Sequence, residues 1–473
     1  MKRKHNPILL AIIALVFTSL ACQALAGTEP AATQAPQQPE PQQPAPTEAS
    51  SPSIVEPATV DSKGAGILCV GSTNGLSCLN ENGWQVYTDE NSDLPNPYLY
   101  AGAICPDGQL AIAHISGVVL FDGTAFKQIP EMDGSATPEG VACDADGDIW
   151  AAHFQGVSQY SNGQWTTFGS ENLANGESAN ELVYDVEVAP DGKVWVVTSR
   201  SVAMFENETW TIFQEGQGFD GSRFFNAITL DAKGRPWAAH SNGVDVFENG
   251  AWTAINKSDY NSPESLAIDS KGQAWLGTLI DGAYLFDGTA WTHHDRASEH
   301  LHSNDIASIS ADSGGRVWFG TSYGLTVFDG AKWQTFLMSN SGLHDNDIEF
   351  IVVTDDGPAL PALEEKAKGS LTGTLEDATN TPMADMRVEI CVETIGSSFY
   401  GDTPCSDQPF FLSTKTDANG IFLFEDVPAG YYVIVAETGT GWAQLTDQFG
   451  ITSEKTLIQA GEQYDIETLT LEE

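Results

Sequence analysis

The sequence predicts an all-β molecule, a seven-bladed β-propeller followed by a small β-sandwich, and three observations carry that prediction. A unit with a tight-turn glycine, a tryptophan, a second turn and another tryptophan recurs through residues 61–357. Its clearest copies are Gly314-Gly315-Arg316-Val317-Trp318-Phe319-Gly320-Thr321 with Gly324-Leu325-Thr326-Val327-Phe328-Asp329-Gly330-Ala331-Lys332-Trp333, and Gly272-Gln273-Ala274-Trp275-Leu276-Gly277-Thr278 with Tyr284-Leu285-Phe286-Asp287-Gly288-Thr289-Ala290-Trp291. Its period is roughly forty residues, the length of a propeller unit made of short strands. From 369 to 473 apolar and polar residues alternate between turns, as in Thr416 to Tyr432, which is the pattern of a sandwich strand pair.

The chain opens with Lys2-Arg3-Lys4, an apolar run Ile8 to Phe17, and Leu20-Ala21-Cys22. That run is too short to span a bilayer and is followed by small residues, so residues 1–22 are expected to be an export signal. Residues 23–60 are Pro, Gln, Ala and Glu with hardly a large apolar side chain, and are expected to form an extended, disordered spacer. Residues 61–357 hold the repeat, 358–368 read as a second linker, and 369–473 as the sandwich.

Within the repeat, Gly108 precedes Phe126, Gly147 precedes Trp150 and Trp165, and Gly192 precedes Trp195 and Trp210. Gly234 precedes Trp237 and Trp252, Gly272 precedes Trp275 and Trp291, and Gly315 precedes Trp318 and Trp333. A weaker first copy runs from Asp61 through Gly75-Leu76 to Trp84, which makes seven. Turns such as Asp231-Ala232-Lys233-Gly234 separate the strands, because Gly accepts positive φ and Asp bonds its own backbone. Asn242-Gly243 and Asn249-Gly250 mark further hairpins, giving four antiparallel strands per copy. The chain enters at Gly66 to Gly71 as a second strand and leaves at Asp347 to Val353 as a first strand. The last strand is therefore expected to complete the first blade and remove the exposed edge.

Three resemblances follow from these residues. Trp-x-Gly-Thr, then Gly-Leu, then Asp-Gly-x-x-Trp resembles the two-component regulator propeller repeat over residues 61–357; Cys69, Ala111 and Phe126 depart from it. Thr-Asp-x-x-Gly-x-Phe at Thr416 to Phe422 and Pro-x-Gly-x-Tyr at Pro428 to Tyr432 resemble the carboxypeptidase regulatory-like, or transthyretin-like, domain. That resemblance implies an accessory module without catalytic residues. Leu20-Ala21-Cys22 resembles a bacterial lipoprotein box, which implies acylation of Cys22, although Ser19 stands where an aliphatic residue is usual. The alternative is an ordinary signal cleaved near Ala26.

The formal net charge of −45 makes nucleic acid a poor partner, since phosphate binding needs a cationic face. After Lys368 the basic residues are Arg387, Lys415 and Lys455. Six cysteines besides Cys22 are an even number in an exported chain. Cys391 and Cys405 are expected to pair. Cys69 and Cys78 sit on adjacent hairpin strands and face each other or not, depending on whether the turn centres on Thr73-Asn74 or Asn74-Gly75. Cys105 and Cys143 fall at equivalent ends of neighbouring inner strands. For both propeller pairs, free buried thiols are the competing reading.

Two sets of residues are candidates for chemistry. At the end of each second strand stand Ser72, His114, His153, Thr198, His240, Thr278 and Thr321. They are expected on the face where propellers take ligands, with the histidines as bases or metal ligands. The plainer reading has Thr and His alike bonding a neighbouring blade's loop. Spaced by about 10 Å around a ring, they are too far apart to share one metal. The second set is His293, His294, Asp295, His300 and His302, whose composition suits a transition metal but whose spacing no element fixes.

Virginiamycin B lyase is a propeller enzyme whose site uses a Glu-x-His pair, and no Glu-x-His occurs here. No nucleophile elbow, phosphate loop or zincin helix is present, and no cofactor is expected. The resulting reading is an envelope-anchored, non-enzymatic propeller that binds a glycan, a protein or another ligand, as a monomer held at the membrane by its lipid. An extracytoplasmic lyase or hydrolase using the His-lined face and an adhesion scaffold are the alternatives. No kinase or DNA-binding segment occurs in the chain, so the family's signalling role is not carried over.

Overall fold

In the computed structural model the described residues are 66–132, 137–169, 172–173, 182–216, 218–219, 224–256, 262–298, 300–354, 356–392, 403–406, 408–438, 441–445 and 455–471. Residues 1–65, which include the expected export signal with Cys22 and the expected spacer 23–60, lie outside them.

The repeat's structural unit starts at its aspartate. Asp312 Oδ1 accepts the Arg316 N–H at 2.8 Å, closing a turn in which Gly315 takes φ +92°. Its other oxygen accepts the Trp318 indole N–H at 3.1 Å, so one carboxylate fixes both the turn and the ring beyond it. Asp144, Asp231 and Asp269 hold Trp150, Trp237 and Trp275 in the same way. Those indoles then fill the space between sheets: Trp275 packs edge-on against Phe319 and Trp333 of the next sheet.

Among the described residues, 66–354 form seven antiparallel sheets. The first strands are Leu99–Ile104, Pro138–Cys143, Val183–Val188, Phe225–Leu230, Pro263–Ile268, Ile306–Ala311 and Phe350–Val353. The second strands are Leu68–Ser72, Leu110–His114, Ile149–His153, Val194–Thr198, Pro236–His240, Ala274–Thr278 and Val317–Thr321. Each first strand packs on the first strand of the next sheet, and Phe350–Val353 packs on Leu99–Ile104. Phe350–Val353 is also hydrogen-bonded to Leu68–Ser72, the pairing expected of the chain's two ends. The sheet beginning Val183–Val188 gains a fifth strand, Gly218–Phe219, parallel to Thr209–Glu215.

The later residues form two sheets around one core. In one, Gly369–Asp377 lies between Ile421–Val427 and, in parallel, Gln463–Leu471. In the other, Arg387–Cys391 pairs with Phe411–Lys415 and Gly430–Thr438, which also pairs with Gly441–Gln444 and Thr456–Ile458. Leu371, Val388, Ile390, Phe422 and Ile434 fill the space between them, and Tyr323 and Leu337 of the repeat region join the same cluster. Residues 358–368, read from sequence as a linker, are strapped to the preceding sheet. Lys366 N–H donates to Ser339 O at 2.7 Å, Glu364 N–H to Asn340 O at 2.9 Å, and Leu360 packs beside Trp318 and Val327.

The six described cysteines are bonded as Cys69–Cys78, Cys105–Cys143 and Cys391–Cys405. Ser72 pairs with Gly75, so the first hairpin turns at Thr73-Asn74 and Cys69 stands opposite Cys78. Cys105–Cys143 joins adjacent sheets across the ring.

Candidate functional site

The residues ending the second strands hold turns. His114 Nδ1 accepts the Ser116 N–H at 3.2 Å, His153 Nδ1 the Gln155 N–H at 3.2 Å, and His240 Nδ1 the Asn242 N–H at 3.1 Å. Ser72, Thr198 and Thr321 accept the equivalent N–H through their hydroxyls, and Thr278 accepts that of Asp281. A histidine here replaces a threonine because Nδ1 and Oγ1 stand at comparable reach from the backbone. The rings are buried, at 1%, 1% and 0% exposure. His153 Nε2 bonds Ser158 Oγ at 2.8 Å, and His240 Nε2 lies 3.3 Å from buried Asp245. Burial holds His114 and His153 down near pKa 4, so they are neutral. The expectation that this set lines an open pocket mouth is corrected: the rings turn into their own hairpins. The N–H bonds given above each lie within one hairpin.

The open positions lie one residue along the partner strand. In six first strands the register slips by one residue, between Leu99 and Ala101, Pro138 and Gly140, Val183 and Asp185, Phe225 and Ala227, Pro263 and Ser265, and Ile306 and Ser308. The extra residues are Tyr100, Glu139, Tyr184, Asn226, Glu264 and Ala307. In the seventh sheet Phe350 pairs with Gly71, which makes Glu349 the equivalent. A bulge re-aims its extra side chain out of the ladder. These six bulges, with Glu349 at the equivalent place in the seventh sheet, put their residues at the same end of the first strands.

Neighbouring members of this set act on one another's protons. The Tyr100 hydroxyl is pushed up to about 12 by burial and then by Glu139 and Glu349, the carboxylates on either side. Tyr184 is raised by burial, then by Glu264 and Glu139. Burial lifts Glu264 to about 7 against a hydrogen bond from Asn226, and lifts Glu349 to about 8 with Asp347 and Asp305 adding to the shift. Glu139 is raised by burial although water reaches it, as befits a side chain inside a wet channel mouth. Deeper on Val183–Val188, Asp185 is lifted to about 7 and Glu187 to about 8, again chiefly by burial. Asp185 Oδ2 accepts the Ile228 N–H at 2.9 Å and so ties two first strands together.

Large apolar side chains surround this mouth. Ile115, Phe154, Leu279 and Ile280 stand in the turns after the second strands, at 42%, 49%, 42% and 41% exposure. Tyr98 and Phe224, in the loops entering the first strands, are 48% and 57% exposed. The two kinds of loop meet: Ile115 N–H donates to Tyr98 O, Leu279 N–H to Ser262 O, and Ser241 N–H to Phe224 O. One sector is covered by the C-terminal sheets. Tyr323 stacks on Phe410 at 6.3 Å, His344 meets Tyr431 edge-on, and Lys455 Nζ lies 2.8 Å from Asp347 Oδ2.

The second histidine set does not form a shared metal centre. His293 stacks on Tyr284 at 4.5 Å and bonds Asp281 O, while Asp295 Oδ1 is taken by the Ser298 N–H. His294 and His300 face each other through Nδ1 at 3.0 Å and pack on Trp333. His302 stands apart, at a cleft lined by Trp333 and Leu360. Among the described residues no three metal-ligating side chains are placed to hold one ion. The turn at Asp295 and the aromatic stacking claim these groups individually.

A family model described as the two component regulator propeller matches residues 300–323, so the chain carries that repeat within an all-β fold. No characterised protein sequence matches the chain. Many solved structures are similar to it in fold, three of them as follows. Virginiamycin B lyase from Staphylococcus aureus is 12% identical over 55% of this chain and 92% of its own, with a TM-score of 0.45. The extracellular domain of a hybrid two component system from B. thetaiotaomicron is 13% identical over 84% and 71%, at 0.36. PorZ, a surface component of the type-IX secretion system of Porphyromonas gingivalis, is 14% identical over 82% and 63%, at 0.44.

Proposed function

We propose that the chain is an extracytoplasmic, non-enzymatic binding protein that takes its ligand at the channel mouth ringed by Tyr100, Glu139, Tyr184, Asn226, Glu264 and Glu349. In this reading residues 61–357 are a closed seven-bladed propeller, 369–473 a carboxypeptidase regulatory-like sandwich, and Cys22 a lipid anchor joined to them by the spacer 23–60. The observation that carries it is the coincidence, on one face, of the bulge ring with exposed Phe154, Phe224, Leu279 and Ile280. Clusters of large apolar side chains left in water mark interaction sites, and propellers use the mouths of their channels for them. In this reading the export signal puts the chain outside the cytoplasm, and the strongly negative charge argues for a partner other than nucleic acid.

The test is retention of a glycan array and of a random heptapeptide library by the immobilised full chain. Retention by the wild type, lost in the Phe154→Ser/Leu279→Ser double variant at unchanged Tm, is the expected result. Retention that the double substitution leaves intact, chemical conversion of the probe, or no retention of either class contradicts the proposal.

A further inference from the structure

The way the chain covers one sector of this face indicates what fits the rest. At the sheet Ile306–Phe336 the turn after the second strand presents Tyr323, which the C-terminal sheets bury to 6% exposure against Phe410. Beside it Lys455 reaches down to Asp347 and also acts on Asp345 and Glu349, the last a member of the bulge ring. An aromatic or aliphatic contact on a turn and a lysine on the carboxylates beneath are thus the two parts of the one docking that the chain makes there.

The other sectors offer the same two parts uncovered. Ile115 and Phe154 flank Glu139: Thr137 Oγ1 donates to Ile115 O at 3.1 Å, and Pro138 pairs with His153. Leu279 and Ile280 flank Glu264, whose neighbour Pro263 pairs with Thr278. The described turns after the second strands carry one base, Arg200, against Glu139, Glu264 and Glu349 in the ring beneath them. A small cation alone would leave the apolar collar wet. A sugar could stack on Tyr98, Phe154 and Phe224 but would leave the branched aliphatic side chains of Ile115, Leu279 and Ile280 wet. A nucleic acid would meet the wrong sign of charge.

We infer that the partner of this face is a protein segment presenting a lysine or arginine between large apolar side chains, its cation seated among the bulge-ring carboxylates and its flanks on Ile115, Phe154, Leu279 and Ile280. This rests on the binding face proposed above and adds the chemistry of its partner. Burying such a cation against several carboxylates is favourable where the hydration it loses is replaced by bonds to Glu and Tyr oxygens.

The experiment selects a random heptapeptide library displayed on phage against the full chain at about 0.15 M salt, where distant surface charges are screened. Selected peptides are expected to carry Lys or Arg with Leu, Ile, Phe or Trp on either side. Replacing that residue by norleucine in the tightest synthetic peptide weakens binding tenfold or more, and so does Glu139→Gln/Glu264→Gln in the protein. Both carboxyls are raised by burial, so the double variant keeps or raises its Tm, which separates lost binding from lost fold. Selected peptides without a basic residue, or affinity unmoved by the Gln pair, overturn the inference. Retention of a glycan instead of peptides, abolished by Phe154→Ser/Leu279→Ser, leaves the face standing and rejects this partner; retention of neither rejects both.

Discussion

At the scale of single residues the three buried histidines are the instructive case. Each stands where other copies carry Ser or Thr, and each does the same work, accepting the N–H two residues on through Nδ1. His153→Thr is therefore expected to cost about 1 kcal/mol, against about 3 kcal/mol for His153→Ala, which leaves the Gln155 N–H without its acceptor. Thermal unfolding of the two variants reads the difference; equal losses would show that packing of the ring matters and the turn bond does not. Sequence reasoning placed these residues at the correct end of the strands but gave them the wrong direction. Nothing in a His-x-x-Gly stretch distinguishes a ring turned outward from one folded back on its own turn. The aspartates of Asp-x-x-Gly were more legible, because turn, glycine and indole are read within seven consecutive residues.

At the scale of the strand, the bulge decides the chemistry. Strand periodicity is two, so one extra residue moves a side chain from the sheet's face to the channel without changing composition. That is why the repeat and its strand order were legible while Tyr100, Glu139, Glu264 and Glu349 passed unnoticed as ordinary first-strand residues. The ring they form makes stability depend on pH in two windows. Glu264, Glu349, Asp185 and Glu187 have folded values of about 7 to 8, above those of the unfolded chain. The native state therefore binds more protons than the unfolded state between ordinary carboxylate values and pH 8, and stability falls as pH rises through that range. His114, His153 and His294 have folded values near 4, below the unfolded one. Their contribution is present above the unfolded histidine value and is lost as pH falls from there toward 4. From pH 7.5 to 8.5 the carboxylates dominate, so Tm is expected to decline across that interval, and Glu349→Gln to flatten the decline. A Tm that climbs steadily to pH 8.5 in the wild type would contradict this assignment.

For the whole molecule the strand order and the closing pair, Phe350–Val353 on Leu68–Ser72, followed from repeat phase alone. The docking of the C-terminal sheets did not. Tyr323 reads as one more turn residue and Lys455 as one more surface base, and only the fold brings them to the same sector. This docking also makes residues 358–368 a strap along a sheet instead of a free spacer, through the bonds of Glu364 and Lys366. The molecule thereby has two unlike ends to its enclosed space. One is acidic with an apolar collar; the other is lined by Ile104, Val188 and Pro190 beside the Cys105–Cys143 bridge. The central claim is that the first of these is the binding face, and amide hydrogen exchange of the full chain with and without the tightest selected peptide tests it most directly. Slowed exchange is expected in the loops around Tyr98 to Tyr100, Ile115 to Gly117, Pro138 to Gly140, Phe154 to Gly156 and Leu279 to Gly282, with the opposite end unchanged. Protection confined to the opposite end, around Cys105 to Gln109 and Val188 to Pro190, or to the outer strands, would contradict it.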